Sequence, residues 1–149
     1  MMKRAIVFFG LAASLGAVAV AAVQSVSVTA SASKPKANKV PVTVTLTIPQ
    51  GYHIYGSKKT DTGIPTSIKM KSPNFKITAS TYPPTQTYTQ MGESVQVYEG
   101  KAVVKLQVMP TKKLSGKQTV KFAVTTQSCN DRTCLPAETK EVSVNVTLP

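Results

Sequence analysis

The sequence has no tryptophan, a single histidine and two cysteines, and its six acidic residues face eighteen lysines and arginines. One histidine without a convergent carboxylate pair leaves no base-and-orienter set for nucleophilic hydrolysis. With 42% hydrophobic and 16% charged residues, the chain is neither a disordered polar tail nor a collagen-like fibre. No long apolar run occurs beyond the first two dozen residues, which excludes a multi-span membrane protein. Heptads, internal repeats and convincing helical periodicity are also missing. What the 149 residues do contain is 19 valines and 19 threonines, β-branched types suited to a pleated, half-buried surface. The expectation is one all-β domain.

The chain opens Met1-Met2-Lys3-Arg4 and then carries no charge from Ala5 to Val23, the basic and apolar regions of a secretory leader. Small-x-small sites at Ala19-Val20-Ala21 and Ala30-Ser31-Ala32 place its cleavage between residues 21 and 32. The expected organisation is therefore a leader and the start of a linker over 1–32, a linker over 33–39 (Ser-Lys-Pro-Lys-Ala-Asn-Lys), and a folded domain over 40–149. No cysteine lies near the end of the leader, so a lipid anchor is not expected, and the membrane is touched only through the leader if it stays uncleaved. Localisation is periplasmic or otherwise exported. The formal charge of +12 comes from lysines scattered at alternating strand positions, such as Lys69, Lys71, Lys101 and Lys105. That spacing is a solvated sheet face, without the concentrated patch and stacking aromatics that nucleic acid requires.

Period-2 alternation marks the strands. Val42, Val44, Leu46 and Ile48 alternate with threonines up to the turn Pro49-Gln50-Gly51. Val26, Val28 and Ala30 alternate in the same way and form an extra first strand if the leader is cut early. Further strands are expected at 66–71, 75–82, 95–98 and 102–108, the last two flanking a tight turn or bulge at Glu99-Gly100-Lys101. Val120, Phe122 and Val124 mark the next strand, and Val142 to Leu148 the last. Residues 85–91 read as irregular. Short strands at roughly 8–12-residue spacing suit an antiparallel sandwich.

The chemistry is concentrated in Gln127-Ser128-Cys129-Asn130-Asp131-Arg132-Thr133-Cys134-Leu135-Pro136. Two cysteines separated by four turn-favouring residues can meet across a hairpin, and an exported compartment preserves their bond. A ring of about six residues removes only ~2 kcal/mol from the unfolded chain, against ~4 for a bridge closing ~60 residues. It is a poor staple, yet it is open to an attacking thiolate. Arg132 favours a nearby thiolate and Asp131 opposes it. With no Cys-x-x-Cys motif, spacing alone leaves a structural clip and an exchange site both open. Copper handling is a third class, with His53, Met70, Met91 and Met109 as candidates, but they show no ligand spacing. No metal or other cofactor is expected.

The segment Cys129-x(4)-Cys134-Leu135-Pro136 resembles the redox hairpin of the N-terminal periplasmic domain of the thiol:disulfide interchange protein DsbD. Gly51-Tyr52-His53-Ile54-Tyr55 is similar to that family's Gly-Tyr-x-x-Tyr segment, and Gly63-Ile64-Pro65-Thr66 to its Gly-x-Pro-Thr. Val97-Tyr98-Glu99-Gly100 is similar to the loop that caps the disulfide. The resemblance covers about Val40 to Pro149 and implies an immunoglobulin-like antiparallel β-sandwich whose cysteine pair relays electrons. It also implies Cys134 as the sulfur of the mixed disulfide, Cys129 as the resolving sulfur, Tyr98 and Glu99 as the cap, and Tyr52 and Tyr55 as supporting aromatics. The implied partners are thioredoxin-like periplasmic redox proteins and a membrane thiol reductant acting in trans on a monomeric domain. The opposing reading is an exported binding or structural module with a hairpin clip.

Overall fold

The computed structural model describes residues 24–90 and 92–149, so most of the expected leader and the copper candidate Met91 lie outside the described residues. Eleven strands occur among them: β1 (Ser27–Ala32), β2 (Val40–Thr47), β3 (His53–Tyr55), β4 (Ser67–Met70), β5 (Phe75–Thr81), β6 (Gln86–Gln90), β7 (Glu93–Glu99), β8 (Lys101–Pro110), β9 (Gly116–Thr126), β10 (Ser128–Cys129) and β11 (Glu138–Leu148). Every pairing is antiparallel. The strand orders are β1-β2-β8-β5, β11-β9-β4 and β10-β3-β7-β6.

The first two sheets are built by alternation. On β2, Val40, Val42, Val44 and Leu46 are buried while the threonines between them are part-exposed. On β8, Ala102, Val104, Leu106 and Val108 are buried, and Lys101, Val103 and Lys105 face solvent. Val120, Phe122 and Val124 of β9, with Val144, Val146 and Leu148 of β11, supply the facing layer of one continuous core. Each of these buried branched side chains contributes roughly 1.5–3 kcal/mol by leaving water. The result is the all-β antiparallel sandwich that the alternation predicts, in keeping with the immunoglobulin-like form that the family resemblance implies.

The third sheet grows out of the other two. β7 runs into β8 through Gly100 alone, and β9 runs into β10 through Gln127 alone. Gly100 makes the first transfer possible with φ +65, a left-handed conformation that side chains with a Cβ avoid. Its carbonyl accepts the Ile48 N–H at 2.7 Å, tying the bend to the end of β2. Strands rooted in both halves of the sandwich thus assemble a small sheet at one end, and this sheet holds the cysteines.

Two sequence expectations change. The sheet starts at β1, ahead of the domain start expected at Val40, because Val28, Ala30 and Ala32 pack against the core and six residues of β1 pair with β2. Residues 33–39 are the connection between those strands. Lys36 and Lys39 exchange two backbone hydrogen bonds of 2.8 and 2.9 Å around Ala37 and Asn38, both at positive φ, as a two-residue hairpin turn requires. Residues 86–90, read as irregular, form β6. Their polar composition fits an edge strand that pairs with β7 on one side only.

A chain beginning at Ser33 loses β1 and the fully buried Val26. Its melting temperature is expected to fall by on the order of 10 °C relative to a chain beginning at Gln24, measured by circular dichroism. An unchanged melt would show that β1 adds nothing. Gly100→Ala meets no atom within 4 Å, so only backbone strain opposes it. A loss of about 1 kcal/mol is expected, read as a lower urea midpoint with an unchanged slope.

Candidate functional site

Local hydrogen bonding sets the cysteine ring. β10 pairs with β3 through Ser128↔Ile54 and Cys129↔His53. The Gln127 side chain braces the junction, accepting the Ile64 N–H at 2.8 Å and donating to the Leu135 carbonyl at 3.2 Å. After Cys129 the chain reverses around Asn130, whose Oδ1 accepts the N–H groups of Arg132 and Thr133, each at 2.9 Å. A short amide side chain that imitates a backbone acceptor favours such a turn. The Asn130 N–H donates to the Thr133 carbonyl at 2.9 Å, and the Leu135 N–H to the Ser128 carbonyl at 2.8 Å. These bonds bring the two Cα atoms to 4.0 Å, and the sulfurs are joined at 2.02 Å.

The two sulfurs sit in different surroundings. Cys129 belongs to a strand and is 1% exposed, whereas Cys134 is on the solvent side of the ring. Directly paired residues of antiparallel strands project from the same face. Cys129, His53 and Glu99 therefore form one row across β10, β3 and β7. Ser128, Ile54 and Tyr98 form the next row, on the opposite face.

Tyr55, two residues beyond His53, shares its face. Its hydroxyl lies 3.9 Å from Cys134 Sγ and 3.4 Å from the Thr62 carbonyl. The Tyr55 carbonyl accepts the buried Thr66 hydroxyl at 2.6 Å. A Cβ at Gly63 would stand 2.1 Å from the ring, so a glycine is needed for Tyr55 to pack here. On β6, the Tyr88 ring lies against His53 with centroids 4.1 Å apart, and its hydroxyl donates to Asp131 Oδ1 within the cysteine ring. Tyr88 thus fastens the β6–β7 hairpin to the loop.

Burial pushes the His53 imidazole below its ordinary range, and the carboxylates of Glu99 and Asp131 partly offset this. The hydrogen bond to Asp131 pushes the Tyr88 phenol up, with lesser contributions from desolvation and from the charges of Asp131 and Glu99.

Of the residues singled out from sequence, Cys129, Cys134, Glu99 and Tyr55 come together. Tyr98, expected over the disulfide, is buried in the core at 4% exposure, because the register turns it to the face opposite Cys129. Tyr52 packs against the core as well, as does Met70. Sequence reasoning missed Tyr88 as the aromatic beside the loop, and it missed His53 as a neighbour of the cysteines. The available signal for Tyr88 was a lone aromatic in a polar segment preceding a glycine turn. Among the described residues no group of three or more His, Cys, Asp or Glu side chains is arranged to hold a metal ion.

No curated protein matches the chain. Among solved structures it is similar to the N-terminal domain of DsbD from Neisseria meningitidis in the reduced form, with 18% identity and a TM-score of 0.52, covering 71% of this chain and 77% of that one. It is also similar to the N-terminal periplasmic domain of ScsB from Proteus mirabilis, with 15% identity and a TM-score of 0.57, covering 81% of this chain. The chain spans 44% of that ScsB domain. Both likenesses concern the fold. The sequence profile described as "Thiol:disulfide interchange protein DsbD, N-terminal" matches residues 19–146. The chain belongs to the family of N-terminal domains of the thiol:disulfide interchange protein DsbD.

Proposed function

We propose that this domain is exported and passes electrons between redox proteins through Cys129 and Cys134. The carrying observation is the division of one disulfide between a buried sulfur, at 1% exposure on Cys129, and an exposed one on Cys134. Access selects the sulfur that a visiting thiolate attacks, so Cys134 forms the mixed disulfide and Cys129 leaves. In the opposite direction Cys134 attacks an acceptor's disulfide, and Cys129 then closes back onto Cys134 and releases the acceptor. Four residues separate the cysteines, so the bond closes too small a ring to stabilise the fold greatly.

The surroundings support this reading. The Tyr55 hydroxyl near Cys134 Sγ can donate to a thiolate there and favour its formation. The Tyr88–Asp131 hydrogen bond holds the β6–β7 hairpin beside the ring. A partner that takes over the Asp131 carboxylate would free that hairpin, so Tyr88 fills the capping role that the sequence resemblance gave to Tyr98. Glu99, also implied as a cap residue, sits beside His53 instead. Thioredoxin-like periplasmic proteins are the proposed exchange partners, with a membrane thiol reductant supplying electrons in trans.

Mixing each reduced cysteine variant with a thioredoxin-like protein that keeps one active-site cysteine, activated as a thionitrobenzoate mixed disulfide so that thionitrobenzoate is the leaving group, tests the assignment on a non-reducing gel. Cys129→Ala, which keeps Cys134, is expected to accumulate the mixed disulfide, and Cys134→Ala is not. No adduct with either variant would favour the clip. Export is tested by mass spectrometry of the protein recovered from the periplasm. Cleavage after Ala21 leaves β1 whole, and that N-terminus is expected. A mature chain starting at Ser33, or an intact leader, would contradict it.

A further inference from the structure

The face that carries the disulfide presents a row unused so far: Cys129, His53 and Glu99 stand opposite one another across three adjacent strands. Cβ atoms of directly paired residues are about 4.5–5.5 Å apart, so the His53 side chain stands between those of Cys129 and Glu99 in the row. A nucleophile, a base and a group that stabilises the protonated base are the parts of an activated-thiol arrangement. His53 is 4% exposed and is also held by the Tyr88 ring at 4.1 Å. Glu99 is exposed.

Cys129 needs such help more than Cys134 does. Its surroundings are nearly closed to solvent, and a buried thiolate without a counter-charge is strongly disfavoured. Yet Cys129 must become a thiolate to resolve a mixed disulfide, since the thiol form does not attack. At 1% exposure solvent is too scarce at the sulfur to take the proton within the attacking step itself.

We infer that His53 is the proton acceptor for Cys129 in the resolving step, with Glu99 stabilising the imidazolium that forms. This rests on the exchange reading above. The Cys129 Sγ–H proton moves to His53, and the Cys129 thiolate attacks Sγ of Cys134. The bond between Cys134 and the acceptor's sulfur breaks, and its electron pair leaves on that sulfur. The Cys129–Cys134 bond is restored, the acceptor is reduced by two electrons, and His53 later gives its proton to water. The groups facing the imidazole are Cys129 and Asp131 from the ring, Glu99 from β7 and Tyr88 from β6, with Tyr55 on the same face of β3. Burial holds His53 neutral before the step, as a base must be, and Glu99 and Asp131 favour its charged form once the proton arrives.

The reduced protein treated with Ellman's reagent tests this. One thionitrobenzoate is released as the adduct forms on Cys134, and a second, independent of reagent concentration, as Cys129 resolves it. In the wild type the second rate constant is expected to rise with pH through the ionisation of His53 and then level. His53→Gln should slow it by on the order of 10²-fold at neutral pH and abolish that inflection. Glu99→Gln should slow it less and move the inflection to lower pH. Because His53 is the single histidine, one imidazole proton resonance follows its titration, and its midpoint should differ between the oxidised and reduced proteins. That measurement decides the matter if His53→Gln does not fold. A second release with wild-type rate and pH profile in folded His53→Gln, or identical midpoints in the two redox states, would overturn the proton transfer and leave exchange intact. Failure of the wild type to form the adduct or to release the second equivalent would instead remove the exchange reading on which the proposal stands.

Discussion

Two residues of backbone pairing, Ser128 and Cys129 against Ile54 and His53, decide how the cysteine ring meets solvent. The pairing commits Cys129 to a strand and a buried row. The turn around Asn130 then carries Cys134 to the other side of the bond without strand partners of its own beyond the bridge to Cys129. Without β10 the two sulfurs would lie in one mobile loop, equivalent to any visitor. With it, a symmetric covalent bond acquires an inner and an outer end.

That arrangement depends in turn on how the small sheet is anchored. Gly100 and Gln127 are single-residue junctions through which β7 and β10 continue strands of the sandwich core. The core strands are fixed by interdigitated Val, Leu and Phe side chains, and dense packing of this kind resists gradual deformation. The position of the ring relative to His53, Glu99 and Tyr55 is therefore inherited from the sandwich. The β6 edge is tied less firmly, by its pairing with β7 and the Tyr88 contacts, which is where movement costs least.

Much of this was legible in the sequence. Alternating Val and Thr gave β2, and Val120, Phe122 and Val124 gave β9, because a one-sided core imposes a period of two. The cysteine hairpin was legible from its turn residues. Tyr98 was misplaced for the same reason that the strands were found. Alternation says that neighbours point to opposite faces, but not which face carries the disulfide, and only the register with β3 settles that. His53 looked like an isolated histidine because Cys129 is far away in sequence and becomes its neighbour through a two-residue strand too short to show a pattern. β6 was hidden because an edge strand with only one apolar side chain, Tyr88, turned to the protein lacks the apolar alternation by which strands are recognised. β1 had the alternation, but it overlaps a small-x-small motif, and local sequence cannot weigh a processing signal against a strand.

If the domain relays electrons as proposed, the burial of one sulfur also governs the order of events. In the proposed exchange, donor and acceptor both use the Cys134 end of the bond, so neither docks productively while the other is attached. Turnover in that scheme would be a double displacement, with parallel lines in reciprocal plots and each partner competing with the other. A surplus of acceptor would occupy the same entrance that incoming reductant needs.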